Sequence, residues 1–302
     1  MNNYLPSHFI SLENNFKFDL LYGFGIKTKL NSINREQISE TTSNDNILIG
    51  GKPKKEIHKF IDEGGVYTYT VFVDENYDPF TIHIVVVTPQ ENDCVTVLID
   101  KKEKIAVLHN MSYFEGCAQM ESREGLKRPG GGTKLLRFAL NLLLELSQRY
   151  HFKRILLKDN SFIHCNKCSK TVKLASLRMI THGLTWYGKY GFKPYDPGTS
   201  KPSELLKNAL NTNNKTLSVL KTKDVNIINI VKDTIKKEKL KNININEIER
   251  LIKQYPLFRN FIVRLTKEFD KYCCILVHIM DIVYYTKIKL VDFDGKTFYL
   301  DI

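Results

Sequence analysis

The chain predicts an α+β fold: a mixed, mostly antiparallel sheet flanked by helices, with a mainly helical C-terminal extension. Three observations carry this. Short runs in which apolar and polar residues alternate recur between residues 66 and 110. A Leu-rich helical pattern over residues 133–150 is followed at once by an apolar run at 153–158, a strand–helix–strand crossover that needs one parallel pair. Beyond Pro197 the alternation gives way to helical spacing.

Taken in order, residues 1–50 hold an apolar patch at 16–26 and then a Ser-, Thr-, Asn- and Glu-rich run at 31–46 that reads as an exposed loop. Residues 54–62 read as a short helix. Gly64 and Gly65 turn the chain into a strand at 66–74, where Tyr67, Tyr69 and Val71 alternate with Thr68 and Thr70. Further strands are expected at 80–88 and 94–99, and Lys101-Lys102-Glu103 turns into another at 105–110. In the helix of residues 133–150, Lys134, Arg137, Asn141 and Glu145 recur at spacings of three and four, a narrow wet stripe on a helix otherwise buried as if against a sheet. The segment 197–203 is the linker, separating a domain of residues 1–197 from a region of 203–302. That region carries helices capped near Asn244 or Asn246 and at 257–269 and 273–285, then a small hairpin around Asp292-Phe293-Asp294-Gly295.

A chain of 302 residues with 42% hydrophobic content supports one large domain or two modest ones. Its net charge of +12 suits an anionic ligand. A nucleic-acid surface is not expected. The Lys, Asn and Ile excess is what AT-rich coding yields, as in large DNA viruses, and the lysines of 221–241 are interspersed with Asp224, Asp233 and Glu238. With no apolar run of membrane-spanning length and no signal-peptide pattern, a cytoplasmic protein is expected, or a virion component if the source is viral. Six cysteines in this length do not read as a disulfide scaffold. Cys165-Asn166-Lys167-Cys168 has the spacing of a metal knuckle beside His164, but no second such pair exists, and the adjacent Cys273 and Cys274 read as core packing. No metal is expected.

The richest segment is Lys127-Arg128-Pro129-Gly130-Gly131-Gly132-Thr133-Lys134-Leu135-Leu136. Glycines opening a helix let backbone N–H groups converge without Cβ obstruction, and with the helix dipole they make an anion site suited to phosphate. Downstream comes Tyr187-Gly188-Lys189-Tyr190-Gly191-Phe192. Together, Gly130-x-Gly132-Thr133 followed by paired leucines, and a Tyr four residues before a Gly-Phe pair, resemble the GNAT superfamily of acyl-CoA-dependent N-acetyltransferases over about residues 66–195. The resemblance implies acetyl-CoA as cosubstrate, with the amides of Gly130, Gly131, Gly132 and Thr133 holding its pyrophosphate, Lys127 or Arg128 as the accompanying base, Asn160 beyond the following strand, and Tyr187 as the acid for the departing thiolate. Asn160 precedes Tyr187 by 27 residues, so an insertion lies between them.

Acetyl transfer requires a neutral amine, a proton acceptor and a donor for the leaving sulfur. His109, near the end of the strand before the glycines, is the candidate base because its ordinary pKa suits proton transfer. Glu115 and Glu121 just beyond it are alternatives for holding a cationic acceptor, and His164 and His182 are further histidines without a specific argument. The expected function is acetyl transfer to an unidentified primary amine by direct attack. The alternative is a non-catalytic structural or virion-type protein on the same scaffold. Oligomeric state is not legible.

Overall fold

The computed structural model describes residues 53–62, 65–120, 124–126 and 131–302. The expectations for residues 1–50 lie outside them. The chain divides into two compact units: one runs up to Lys158 and includes Tyr299–Ile302, the other spans Asp159–Phe298. The sequence places its boundary later, at the 197–203 linker.

In the first unit, β1 (Lys54–Asp62), β2 (Gly65–Asp74), β3 (Thr81–Val87), β4 (Asp93–Asp100) and β5 (Ile105–Met111) form an antiparallel meander. A two-residue β6 (Gln119–Met120) pairs with β2. Helix α1 (Gly131–Tyr150) then crosses over to β7 (Arg154–Lys158), which pairs parallel with β5. This is the parallel pair the crossover requires.

Alternation sets which side of the meander is core. Tyr67, Tyr69, Val71 and Val73 of β2, with Ile82, Ile84 and Val86 of β3, are buried. Against this layer α1 buries Leu135, Leu136, Phe138, Ala139, Leu140, Leu142, Leu143 and Leu146. Each of these leucines, and Phe138, contributes about 1.5–3 kcal/mol on full burial. Phe138 stacks flat on Tyr69, with ring centroids 3.6 Å apart.

Residues 54–62 are a strand, not the short helix read from the sequence. β1 pairs with β2 over its whole length, from Lys54↔Val73 to Asp62↔Gly65. Its polar character has a reason: the wet stripe of α1 meets β1 and β2 instead of facing solvent alone. Arg137 pairs with Asp62 at 3.0 Å, Arg149 with Glu56 at 3.0 Å, and Lys134 donates to the Tyr67 hydroxyl. Alternating Glu56, His58, Phe60 and Asp62 therefore form an inward row in which most members are charged or polar, and hydropathy cannot mark it as a strand.

The second unit contains β8 (Phe162–Cys165) and β9 (Lys170–Lys173), a separate two-stranded hairpin. Helix α2 (Leu174–His182) follows, then β10 (Lys193–Asp196) and β11 (Lys201–Pro202). Hairpin and helix fill the interval between Asn160 and Tyr187. The remainder is helical: α3 (Glu204–Val219), α4 (Thr222–Val225), α5 (Ile227–Lys237), α6 (Ile245–Gln254), α7 (Phe258–Thr266) and α8 (Phe269–Asp281). Asn244 caps α6 as read, its side chain accepting from the Asn246 N–H at 2.9 Å. Helix α8 is the centre of this unit, buried at Phe269, Tyr272, Ile275, Leu276 and Ile279 and packed by α5, α7 and β9.

The final strand, β12 (Thr297–Asp301), is not half of a hairpin. Residues 287–291 form no strand, although the Asp-Gly turn does form, with the Asp294 N–H donating to Asp292 at 3.1 Å. Among the described residues the main sheet has ten strands, in the order β1-β2-β3-β4-β5-β7-β12-β10-β11 with β6 beside β2. It is mixed and mostly antiparallel, as the sequence predicts. Within the first unit the terminal residues are tied to β7: Arg154 Nε donates to Asp301 at 2.7 Å, its guanidinium lies over the Tyr299 ring, and the Ile302 N–H donates to the Lys153 carbonyl. No helix among the described residues is long and apolar enough to cross a membrane.

The Glu56 cluster yields a signed expectation. Hydrogen bonding from His58, then Lys54 and Arg149, holds its carboxyl well below the usual range against the opposing effect of burial. Stability from a depressed carboxyl is present above the unfolded pKa near 4.5 and is lost as pH falls. Glu56→Gln should therefore destabilise by about 1 kcal/mol at pH 7, after allowance for solvent screening. In urea titrations the gap from wild type should narrow as pH falls below 4.5; a gap independent of pH would contradict this account.

Candidate functional site

Helix α1 starts at Gly131, and Lys127, Arg128, Pro129 and Gly130 lie outside the described residues. The two described glycines do different things. A Cβ on Gly131 would run into the Tyr113 ring, so packing alone demands glycine there. Among the described residues, a Cβ on Gly132 would meet nothing within 4 Å. None of them therefore fills the space over the first turn, where N–H groups have no intrahelical acceptor. No acidic side chain in that turn offsets the positive end of the dipole. Thr133 is buried beside it.

His109 sits at a break in the sheet. β4 and β5 pair as Val97↔Leu108 and then Thr96↔Asn110, so His109 is the extra residue of a β-bulge. It is exposed. Parallel pairing of β5 with β7 also stops at Leu108↔Leu157. A bulge bends its strand and re-aims the side chain; here it lies four residues before Tyr113, the residue that touches Gly131. The strand end bearing His109 and the helix start are thus held together by the Tyr113–Gly131 contact.

The connecting loop is braced from within. Tyr113 donates through its hydroxyl to the Leu126 carbonyl, and the Leu126 N–H donates to the Glu115 carbonyl at 2.8 Å. Glu115 is exposed in a 3₁₀ turn, Glu115–Cys117; Glu121 lies outside the described residues. Cys117 is disulfide-bonded to Cys94, although six cysteines in this length do not read as a disulfide scaffold. A groove of about 300 Å³ borders this loop, lined by Thr68, Thr70, Phe72, Pro89, Cys117 and Gln119 among others. None of the residues singled out from the sequence lines it.

Tyr187 and Asn160 belong to the second unit. Tyr187 opens a 3₁₀ turn, Tyr187–Tyr190, which ends on Gly191 at φ 88°. That left-handed C-cap explains the glycine of the Gly-Phe pair. Phe192 then meets the Tyr187 ring edge-on at 5.9 Å. Tyr187 is buried, and burial followed by the charge of Asp159 pushes its phenol upward, so it stays protonated throughout the physiological range. Asn160 is exposed.

The sequence reading passed over Asp159, the neighbour of Asn160. Asp159 is fully buried. Its Oδ1 accepts from the N–H and hydroxyl of Ser161, while its Oδ2 has no hydrogen-bond partner among the described residues. Burial, and then Asp294 and Asp292, push this carboxyl up to about 6. The available signal was slight: an acidic residue directly after a buried strand, followed two positions later by Ser. His182 is driven the other way, down to about 3, by burial and by Arg178, whose Nη1 lies 3.1 Å from His182 Nε2. His182 is thereby kept neutral. His164 is exposed on β8.

Compared with family models, with curated proteins and with solved structures, the chain matches none. Its function has to be argued from these residues.

Moving a carboxyl from 3.8 to about 6 costs the folded state roughly 3 kcal/mol at neutral pH. Because the folded pKa is raised, the stability linked to the protonated acid is complete below pH 3.8 and lost as pH rises through 6. The stability of Asp159→Asn relative to wild type should thus improve by roughly 2 kcal/mol between pH 4 and pH 7. Denaturant melts at the two pH values measure this, and a constant difference would show that Asp159 is not buried as a strained acid.

Proposed function

We propose that this chain is an acetyl-CoA-dependent N-acetyltransferase that transfers the acetyl group to a primary amine by direct attack. One observation carries the reading: no described residue fills the space at Gly132 over the start of α1, next to the bulged strand end that carries His109. The pattern of a meander, a crossover helix opened by glycines and a parallel return strand supports it too.

In this reading the amides of Gly131, Gly132 and Thr133, with Gly130 and a basic residue at Lys127 or Arg128, receive the pyrophosphate of the cosubstrate. His109 takes a proton from the acceptor ammonium. The free amine then attacks the thioester carbonyl carbon, the carbon–sulfur bond breaks, the amide nitrogen releases its extra proton to solvent, and the thiolate takes up a proton, the role that the GNAT resemblance gives to Tyr187. Burial keeps that phenol proton in place but makes the phenol a weaker acid. The same burial favours a second reading, in which Tyr187 is core packing and the protein is a non-catalytic scaffold.

Two sets of variants separate the readings. Coenzyme A should raise the Tm of the wild type by binding the native state. Gly132→Val should retain the fold and lose that shift, whereas Gly131→Ala should lower stability without any ligand, because Tyr113 must move. A Gly132→Val protein with an unchanged shift would place coenzyme A elsewhere.

Tyr187→Phe should keep coenzyme A binding and slow free-thiol release by about 10²–10⁴-fold in the presence of a productive acceptor. Full activity would remove Tyr187 from the chemistry. A wild type that binds coenzyme A but transfers to no polyamine, amino sugar or Lys peptide would favour the scaffold.

A further inference from the structure

The turn Cys165–Cys168 is half of a metal site by sequence, and the fold of the second unit supplies the other half. Cys165 ends β8, and the turn returns the chain into β9 with Ser169 in the left-handed region at φ 52°. Across the core, α8 presents Cys273 and Cys274 to the same place. The Sγ atoms of Cys165, Cys273 and Cys274 all lie within 4.8 Å of one another, and Cys168 Sγ is 3.4 Å from Cys165 Sγ. Cys274 Sγ is 3.5 Å from Cys165 Sγ. Four of the six cysteines in the chain therefore gather around Cys165, three of them mutually close and Cys168 against Cys165, although 108 residues separate Cys165 from Cys273.

From this convergence we infer that Cys165, Cys168, Cys273 and Cys274 bind one structural zinc ion. A tetrahedral zinc held at about 2.3 Å by four thiolates sets the sulfurs about 3.8 Å apart. The Cys165–Cys274 and Cys165–Cys168 spacings of 3.5 and 3.4 Å are near this, and the Cys168 side chain would turn toward Cys273 and Cys274 to complete the set. In this structure Cys165 and Cys273 are disulfide-bonded; a two-electron reductant, a thiol or a phosphine that is itself oxidised, breaks that bond and yields the two thiolates of the zinc-bound form. A disulfide accounts for two sulfurs and gives no reason for Cys168 and Cys274 to crowd against them. A zinc ion accounts for all four.

The surroundings fit a closed, structural site. Cys165, Cys273 and Cys274 are buried and Cys168 is half-buried, leaving no open ligand position for a substrate. Zinc with four thiolates carries a net charge of −2, and Lys167 in the turn and Lys170, the register partner of Cys165, flank it. His278 is not needed as a ligand, since its Nε2 is already 2.9 Å from Glu238 and 3.0 Å from Lys170. The ion would fasten the β8–β9 hairpin to the central helix of the unit. Each cysteine gives up its proton on binding, so uptake is favoured by rising pH.

The full chain, produced with zinc in the medium and purified under a phosphine reductant without chelator, should contain one equivalent of zinc by mass spectrometry of the metal. Replacing zinc with cobalt(II) in the wild type should give the intense visible bands and sulfur-to-metal charge transfer of a tetrahedral thiolate site. Stripping the metal should lower the Tm. Cys168→Ser and Cys274→Ser should each weaken zinc binding by at least tenfold, whereas the double variant Cys94→Ser, Cys117→Ser should retain one equivalent. Absence of both zinc and a cobalt–thiolate spectrum in the reduced wild type would overturn the proposal, as would full zinc retention in both Cys168→Ser and Cys274→Ser. The cobalt spectrum is read on the unmodified chain, so it decides the matter even if a variant fails to fold.

Discussion

Phe138 lies on Tyr69 with the two rings 4° from parallel, and the leucines around it complete the seal of α1 on the sheet. The first unit depends on this face. It fixes the direction of the crossover and so places β7 parallel to β5. It also dictates the polar side of α1, because once one arc is committed to the core, Lys134, Arg137 and Arg149 must find partners along the flank. They find them on β1 and β2. An edge strand built from Glu56, His58 and Asp62 is stable there only because a row of cations runs over it, and the same charges discourage another strand from pairing at that edge.

The sequence is legible where burial is one-sided and repetitive. The strand β2 alternates cleanly, α1 declares itself through its leucines, and Asn244 caps where a cap is expected. Legibility fails where a long-range partner decides local structure. Residues 54–62 carry no hydropathic alternation because their inward row is satisfied by side chains more than 70 residues away. Cys273 and Cys274 lack metal-knuckle spacing because a helix, unlike a turn, can bring adjacent residues to one point only when another element comes to meet them. Asp159 carries no pattern of its own beyond following a strand, and its significance lies entirely in burial. The glycines were read as a single unit, yet Gly131 answers to Tyr113, whereas a Cβ on Gly132 would meet none of the described residues.

The second unit buries charge-bearing groups that the first keeps at its margins. Arg178 is fully buried, Asp159 is fully buried, and His182 is held neutral between Arg178 and Thr181. Such groups cost stability unless they are fully satisfied. The two titrations oppose each other in acid. The contribution of His182 is present above 6.5 and declines as pH falls toward 3, while that of Asp159 grows as pH falls from 6 to 3.8. A unit arranged in this way is buffered against moderate acidification, although its individual groups are not.

The last residues of the chain belong to the first unit, where Asp301 and Ile302 are bonded to Arg154 and Lys153. This has a consequence for synthesis. The meander and α1 leave the ribosome early, but the margin of β7 that receives these residues stays bare until residues 299–302 have been made, on the order of ten seconds later at usual elongation rates. During that interval the nascent chain presents an unpaired strand border, so the unit that is synthesised first is finished only after the one that follows it.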